Sequence, residues 1–88
     1  MKKAIQVTEV EGEGLLALLN ERVLVFCMNY IYTGVLEGVN TTCIKLSNAS
    51  IVYETGSFDS KAFKDAQRVG DLYIQTNSIE SFGRTDKR

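Results

Sequence analysis

The segment from residue 22 to residue 46 most constrains the fold, because it contains three short β-strand patterns separated by two tight turns. The first pattern is dense in Val, Leu and Phe, which favour a pleated, buried surface. Asn29 and Asn40 mark the turns, since asparagine tolerates left-handed backbone angles and can hydrogen-bond its own main chain. Gly34 and Gly38 interrupt the second pattern, and a glycine inside a strand indicates a sharp bend or a close backbone approach. These features predict a small, strongly curled antiparallel sheet.

The remaining apolar patterns extend this sheet to five strands. The alternation changes phase after Leu46, which predicts a bulge or turn at Ser47-Asn48, because a slip of one residue inverts every side chain. Two segments near the C terminus close the sheet, and Asn77-Ser78 is an acceptable two-residue turn between them. The predicted strands cover residues 22–28, 32–39, 42–54, 71–76 and 79–83.

Two short helices are predicted outside the strands. The first covers residues 9–20 and has acidic residues at its favourable N-terminal end. The second covers residues 58–68 as an insertion between strands 3 and 4, where Gly70 can end it as the C′ residue and charges of mixed sign indicate a solvated outer face. The apolar faces consist of Val10, Leu15, Leu18 and Leu19 in the first helix, and of Phe58, Ala62, Phe63 and Ala66 in the second.

Length and composition indicate one small globular domain. The chain has 88 residues, of which 44% are hydrophobic and 24% are charged. A domain of this size buries only ~60–65% of the surface that it exposes when unfolded, so association with copies of itself would help. No apolar run approaches the length of a membrane span, so we expect no membrane insertion.

Charge and residue types argue against catalysis. The net charge is −1 and histidine is absent, so bulk charge does not favour nucleic acid, and any affinity for RNA must come from a local arrangement of groups. Cys27 and Cys43 have no histidine to act as a base, and their spacing does not match a metal site. We therefore predict a protein that is not an enzyme and needs no metal or cofactor. Two cysteines on apolar strands fit a reducing, cytoplasmic setting.

A family resemblance is carried by three fragments of the central segment, Val23-x-Val25, Tyr32-x-Gly34-x-Leu36 and Val39-Asn40-x-x-x-Ile44-x-Leu46. They resemble the first sequence motif of Sm and Sm-like (LSm) proteins, the group that includes bacterial Hfq. Residues 72–79 resemble the second motif, with Ile74-Gln75-Thr76 where the family usually has Ile-Arg-Gly. The resemblance implies a mostly β, Sm-like fold in which an N-terminal helix precedes a strongly bent five-stranded antiparallel sheet, an open small barrel.

The resemblance also implies a ring of identical subunits. A bent open sheet leaves two strand edges unpaired, and in the family the fourth strand of one subunit pairs with the fifth strand of the next. We expect a homo-oligomer of roughly five to seven copies. The implied interface residues are Leu72, Tyr73, Ile74, Ile79 and Phe82.

Single-stranded RNA is the implied ligand, bound at the inner rim of the ring by two turns per subunit. Asn40 stands where the family tends to have Asp, Thr42 replaces a stacking side chain, Gln75 replaces arginine and Thr76 replaces glycine. Such a rim offers hydrogen bonds but neither a cation nor a stacking surface, so weak binding is expected. The implied RNA-binding residues are Asn40, Thr41, Thr42, Gln75, Thr76 and Asn77.

Two functions follow from these expectations. The first is an RNA chaperone or a scaffold for RNA processing, with RNA held at the pore rim. The alternative is a homo-oligomeric structural or protein-interaction hub without RNA binding, which would dock partners on the insertion at residues 57–70. In that case Phe58 and Phe63 would be exposed together as an apolar patch.

Overall fold

The computed structural model describes residues 14–57 and 60–87. They form one antiparallel sheet of five strands in the order β4-β3-β2-β1-β5, so β4 and β5 are its edges. This confirms the predicted mostly β class and the five-stranded antiparallel sheet. The elements are a first 3₁₀ helix at Leu15–Leu18, β1 at Arg22–Cys27, β2 at Ile31–Val39, β3 at Cys43–Glu54, β4 at Asp65–Gln75, a second 3₁₀ helix at Thr76–Ser78 and β5 at Ile79–Arg84.

The sheet bends where β2 pairs with an irregular part of β3. The pairing register of β3 shifts around Ser47 and Ala49, and Asn48 between them has a left-handed backbone with φ 48°. This confirms the slip predicted at Ser47-Asn48. A Cβ atom on Gly34 would lie 2.9 Å from the Ser47 carbonyl oxygen and 3.1 Å from the Ala49 Cα. Glycine at position 34 is therefore what lets the two backbones approach so closely.

The core lies on one side of the bent sheet. Leu15 and Leu18 of the first 3₁₀ helix pack against it, as the resemblance implied for an N-terminal helix. Asn20, with φ 67°, then turns the chain, and its N–H donates to the Leu36 carbonyl oxygen at 2.7 Å. The buried core cluster consists of Val23, Val25, Leu36, Ile44, Leu46, Ala49 and Ile74.

The N-terminal helix is shorter than predicted within the described residues. Of the range 9–20, residues 15–18 are helical, and residues 9–13 lie outside the described part of the chain. The helices that the structure describes are too short and insufficiently apolar to cross a membrane.

The prediction of a helix over residues 58–68 is wrong for the part that the structure describes. β4 begins at Asp65, which pairs with Glu54, and the strand continues through Gln75. Pairing with the long β3 satisfies this backbone in place of helical hydrogen bonds. Gly70 has φ 82° but lies inside β4, where the pairing with β3 is irregular, and does not end a helix.

A local turn and a buried phenylalanine ring occupy the segment in which the spacing of apolar residues predicts a helix. The Ser60 hydroxyl donates to the Ala62 carbonyl oxygen at 2.9 Å and accepts from the Ala62 N–H at 3.3 Å. Serine that bonds its neighbouring backbone in this way competes with helix formation. Phe63 is 9% exposed and packs inward just before β4 begins, whereas Phe58 lies outside the described residues.

The connection between β4 and β5 also differs from the predicted two-residue turn. The second 3₁₀ helix, Thr76–Ser78, carries the chain from β4 at one edge to β5 at the other, where β5 pairs with β1. The Ser78 hydroxyl donates to the Gln75 carbonyl oxygen at 2.8 Å and stabilises this connection. The last two strands are therefore consecutive in sequence but lie at opposite edges of the sheet.

The close approach at Gly34 predicts a large difference between two glycine substitutions. Gly34→Ala should lower the free energy of unfolding by about 1–3 kcal/mol, because a methyl group there overpacks the β2–β3 contact. Gly38→Ala is the matched control, since a Cβ at this position meets nothing within 4 Å. Chemical unfolding at a fixed protomer concentration measures both. Equal effects of the two substitutions would contradict this account of the bend.

Candidate nucleic-acid interface at the joined turns

Two turns that are distant in sequence are held together at one end of the sheet. The Thr76 N–H donates to the Thr42 carbonyl oxygen at 2.8 Å. The Thr76 hydroxyl donates to the Thr41 carbonyl oxygen at 3.1 Å. The β2–β3 turn and the β4–β5 connection therefore form one continuous rim, which we call the joined turns (residues 40–42 and 75–77).

Asn40 shapes the first of these turns from inside. Its Oδ1 accepts from the Thr42 N–H at 2.8 Å, the Thr42 hydroxyl at 3.0 Å and the Cys43 N–H at 2.8 Å. An asparagine side chain that bonds the backbone two residues ahead fixes a tight turn. The Asn40 oxygen is engaged in this way, and the amide N–H₂ remains as its donor toward a ligand.

An open depression of about 620 Å³ lies against the joined turns. Five of the six sequence-predicted RNA-binding residues line it, and Asn40 borders a neighbouring depression of about 290 Å³ instead. Thr41, Thr42, Gln75 and Asn77 offer exposed hydroxyl and amide groups, which can donate and accept hydrogen bonds. The lining residues are Thr41, Thr42, Cys43, Tyr73, Gln75, Thr76 and Asn77.

Tyr73 and Cys43 line this depression but are not among the RNA-binding residues predicted from sequence, and Tyr73 is the one with an aromatic ring. The sequence resemblance implies that Tyr73 lies at the subunit interface and that the rim has no stacking surface. Its side chain is 66% exposed, and it borders both depressions at the joined turns. The available signal was the strand alternation around Ile74: because that side chain enters the core, Tyr73 and Gln75 must point to the opposite face.

A cation lies beside this ring but is neutralised by two carboxylates. Lys45 pairs with Tyr73 across the strands, and its Nζ lies 5.9 Å from the ring centroid. The same Nζ lies 3.3 Å from Glu37 Oε1 and 3.9 Å from Asp71 Oδ2. The hydrogen bond with Glu37, followed by the electrostatic influence of Tyr73 and Asp71, raises the pKa of Lys45. The group stays charged at neutral pH, but the local field around it is not positive.

The predicted interface residues are distributed over both edge strands. Ile74 is 5% exposed and belongs to the core of its own subunit, so only its backbone can serve an edge contact. Leu72 and Ile79 are half-buried against the same core, and Phe82 on β5 is exposed. The structure thus places one exposed aromatic side chain on each edge, Tyr73 on β4 and Phe82 on β5.

Cys27 has the properties of a packed side chain. Burial raises the pKa of its thiol, and this effect outweighs the hydrogen bond with Ser78. A raised pKa keeps the thiol protonated at neutral pH and makes it a poor nucleophile. Within residues 14–57 and 60–87, no group of three His, Cys, Asp or Glu side chains is placed to hold a metal ion.

Neither a protein-family model nor a curated protein matches this sequence. The structure, however, is similar to solved Sm proteins. A heptameric archaeal Sm protein matches with a TM-score of 0.64 and 14% identity over 81% of this chain and 94% of that chain. The chain has an Sm-like fold.

Two further Sm structures support this conclusion. The SmAP1 heptamer of P. aerophilum matches with a TM-score of 0.63 and 14% identity over 81% of this chain and 86% of that chain. The Sm protein of Pyrococcus abyssii, solved in complex with a uridine heptamer, matches with a TM-score of 0.60 and 19% identity over 80% of this chain and 90% of that chain. These matches confirm the Sm-like fold that the resemblance implied.

The role of Asn40 within this Sm-like fold can be tested by a pair of substitutions. Asn40→Ala removes an acceptor of three hydrogen bonds and should lower the free energy of unfolding by about 1–2 kcal/mol. Asn40→Asp keeps an oxygen acceptor in the same place and should remain within about 0.5 kcal/mol of the unchanged protein. Denaturant unfolding compares the two variants. An Asp variant as unstable as the Ala variant would show that the oxygen does not hold the turn.

Proposed function

We propose that this protein forms a homo-oligomeric ring and binds single-stranded RNA at the inner rim of that ring. The observation that carries the proposal is the depression at the joined turns, where an exposed tyrosine ring stands among amide and hydroxyl groups. The similarity to a solved Sm protein that holds a uridine heptamer supports RNA as the ligand. The corresponding biological role is that of an RNA chaperone or a scaffold for RNA processing in the cytoplasm, without catalysis.

The two open edges of the sheet support the ring. β4 and β5 each pair with a neighbour on one side and end the sheet on the other. Unpaired edges template further strand pairing, and head-to-tail pairing of β4 with β5 of the next copy would satisfy both. Such a contact is heterologous and closes when the rotation per subunit divides a full turn. The similar archaeal and P. aerophilum Sm proteins are heptamers, which supports closure into a ring.

Stacking and hydrogen bonding would supply most of the affinity for RNA. A base can lie on the Tyr73 ring, while the amides of Gln75 and Asn77 read its edge. Among the described residues that line the depression there is no lysine or arginine, and Lys45 beside it is neutralised by Glu37 and Asp71. Binding at the rim should therefore depend weakly on salt, since few counterions are released there.

One observation disfavours the alternative of a protein-interaction hub built on the 57–70 insertion. Phe63, one of the two rings proposed to form its apolar patch, is 9% exposed. The Nζ of Lys87 lies 5.6 Å above this ring and also donates to the Ser57 carbonyl oxygen at 2.8 Å. Phe63 is thus a packing residue of its own subunit.

Assembly can be tested without RNA. Native mass spectrometry at micromolar protomer concentration should show a closed oligomer of roughly five to seven copies with no ladder of larger species, because a ring leaves no edge for growth. An 88-residue monomer as the sole species under these conditions would refute the ring.

Binding at the rim can be tested with a labelled heptamer of uridine and fluorescence anisotropy. Tyr73→Ala should weaken binding roughly tenfold or more, whereas Tyr73→Phe, which keeps the stacking face, should bind within about twofold. Tyr53→Ala is the matched control, because Tyr53 is an exposed tyrosine on β3 that does not line the depression.

Native mass spectra of all three variants establish that the oligomer is intact before affinities are compared. Loss of binding in Tyr53→Ala equal to that in Tyr73→Ala would argue against the rim. Unchanged binding of the uridine heptamer by Tyr73→Ala would also argue against the rim.

A further inference from the structure

A second polar depression, of about 390 Å³, opens on the outer part of the sheet, away from the joined turns. On β3 it is bordered by Ser50, which lies seven residues beyond Cys43 at the rim. At about 3.3 Å per strand residue, the two depressions are roughly 20 Å apart along β3. The second depression is lined by Arg22, Thr33, Asn48, Ser50, Phe63, Ala66 and Arg68.

The strand register explains why these residues meet. Ser50 pairs with Thr33 on one side and with Arg68 on the other, which aligns a row of polar side chains across three strands. Arg22 begins β1 next to this row. Asn48 joins it because its left-handed backbone, φ 48°, redirects the chain at the bulge that also bends the sheet.

The charged side chains that line this depression are all positive. It contains two guanidinium groups, a side-chain amide and two hydroxyl groups, and no carboxylate is among its described lining residues. Lys45, Lys64 and Arg84 each lie within 4.0 Å of a carboxylate oxygen. Among the described residues, neither Arg22 nor Arg68 takes part in such an ion pair.

Two of the nearby carboxylates, those of Glu21 and Glu54, are paired with other cations. Arg22 also borders a neighbouring depression that Glu21 and Asp86 line, but the Glu21 carboxylate is paired with Arg84 at 4.0 Å. Glu54, at the end of β3, is paired with Lys64 at 2.9 Å. The two arginines thus retain their charge for a ligand.

Phe63 gives the depression an apolar wall. Its buried ring lines the depression together with Arg22 and Arg68. The Lys87 Nζ lies 5.6 Å from the centroid of this ring and adds a further positive charge nearby. The inserted segment before β4 is therefore what encloses the depression on this side.

We propose that this depression is a phosphate-binding pocket, with Arg22 and Arg68 as its two cationic ligands and Asn48 and Ser50 as neutral hydrogen-bond donors. Guanidinium groups match the geometry of phosphate oxygens and form paired, charge-assisted hydrogen bonds with them. The phosphate can belong to the backbone of an RNA strand or to a free phosphate monoester such as a nucleotide, since both present the same oxygens. The pocket does not depend on RNA binding at the joined turns.

The first arm of the test uses inorganic phosphate and the intact oligomer. Phosphate replaces chloride at constant ionic strength and pH 7, and the arginine Nε–H resonances are followed by NMR. Those of Arg22 and Arg68 should shift and saturate, while that of Arg84 should not. Arg68→Gln should weaken phosphate binding roughly tenfold, because it removes one of two charged partners. Lys61→Gln is the matched control, because this exposed lysine does not line the depression, and it should leave binding unchanged.

The second arm identifies the source of the phosphate. Uridine monophosphate and a uridine oligomer of about thirty residues are compared in the Tyr73→Ala background, so that stacking at the rim does not contribute. Tighter binding of the oligomer, lost in the additional Arg68→Gln variant, assigns the pocket to the RNA backbone. Tighter binding of the monophosphate assigns it to a small phosphorylated ligand.

The outcomes separate this proposal from the rim. Saturable phosphate shifts at Arg22 and Arg68 support the pocket even if no RNA binds at the joined turns. Shifts that rise linearly and equally at Arg84, or an affinity for phosphate at Arg22 that is unchanged in Arg68→Gln, overturn it. Should Arg68→Gln fail to fold, Ser50→Ala removes a neutral donor from the same pocket and should weaken phosphate binding severalfold; an unchanged affinity in that variant overturns the proposal as well.

Discussion

The contact between Gly34 and the irregular part of β3 is the constraint on which the rest of the fold depends. With the Ser47 carbonyl oxygen 2.9 Å from where a Cβ would stand, β2 and β3 can approach this closely only if position 34 has no side chain. The resulting bend lets a single sheet enclose Val23, Leu36 and Ile44 without a second layer. A sheet curled in this way but not closed keeps two edges, β4 and β5, and their unpaired backbone groups are what favours assembly.

The same topology builds the candidate RNA site. Because β5 pairs with β1 and not with β4, the connection between them has to cross the end of the sheet. In crossing, it passes the β2–β3 turn, and the two hydrogen bonds from Thr76 fasten the segments together. The site therefore combines residues from the ends of β2, β3 and β4, although no single sequence segment contains it. A local rearrangement at Thr76 would alter both turns at once.

Much of this architecture is predictable from sequence, for reasons that particular residues make plain. Gly34, Asn40 and the phase change at Ser47-Asn48 are local signals with local causes, and each corresponds to a feature of the structure. The N-terminal part of β4 was not predicted as a strand, because the spacing of Phe63 and Ala66 matches that of a helix face. Its strand conformation depends on pairing with distant residues of β3. The position of Tyr73 at the rim was not predicted either, because it also depends on strand pairing. The direction of its side chain follows from the burial of Ile74, and its neighbours follow from the register with Lys45 and Cys43.

If both proposed sites bind their ligands, the distribution of charge would separate base recognition from phosphate recognition. The chain has a net charge of −1, so the proposed ring of several copies would repel RNA at long range, although salt would screen that repulsion beyond about 8–10 Å. At the rim, Lys45 is balanced by Glu37 and Asp71, which would leave stacking and neutral hydrogen bonds to act on RNA bases in the proposed function. Arg22 and Arg68 lie roughly 20 Å away along β3 in a depression that Phe63 also lines. An RNA strand that leaves the rim over the outer part of the sheet would meet its phosphate partners, Arg22 and Arg68, there. The insertion before β4 encloses these partners, so its position would set the minimum length of RNA that reaches both sites and binds tightly.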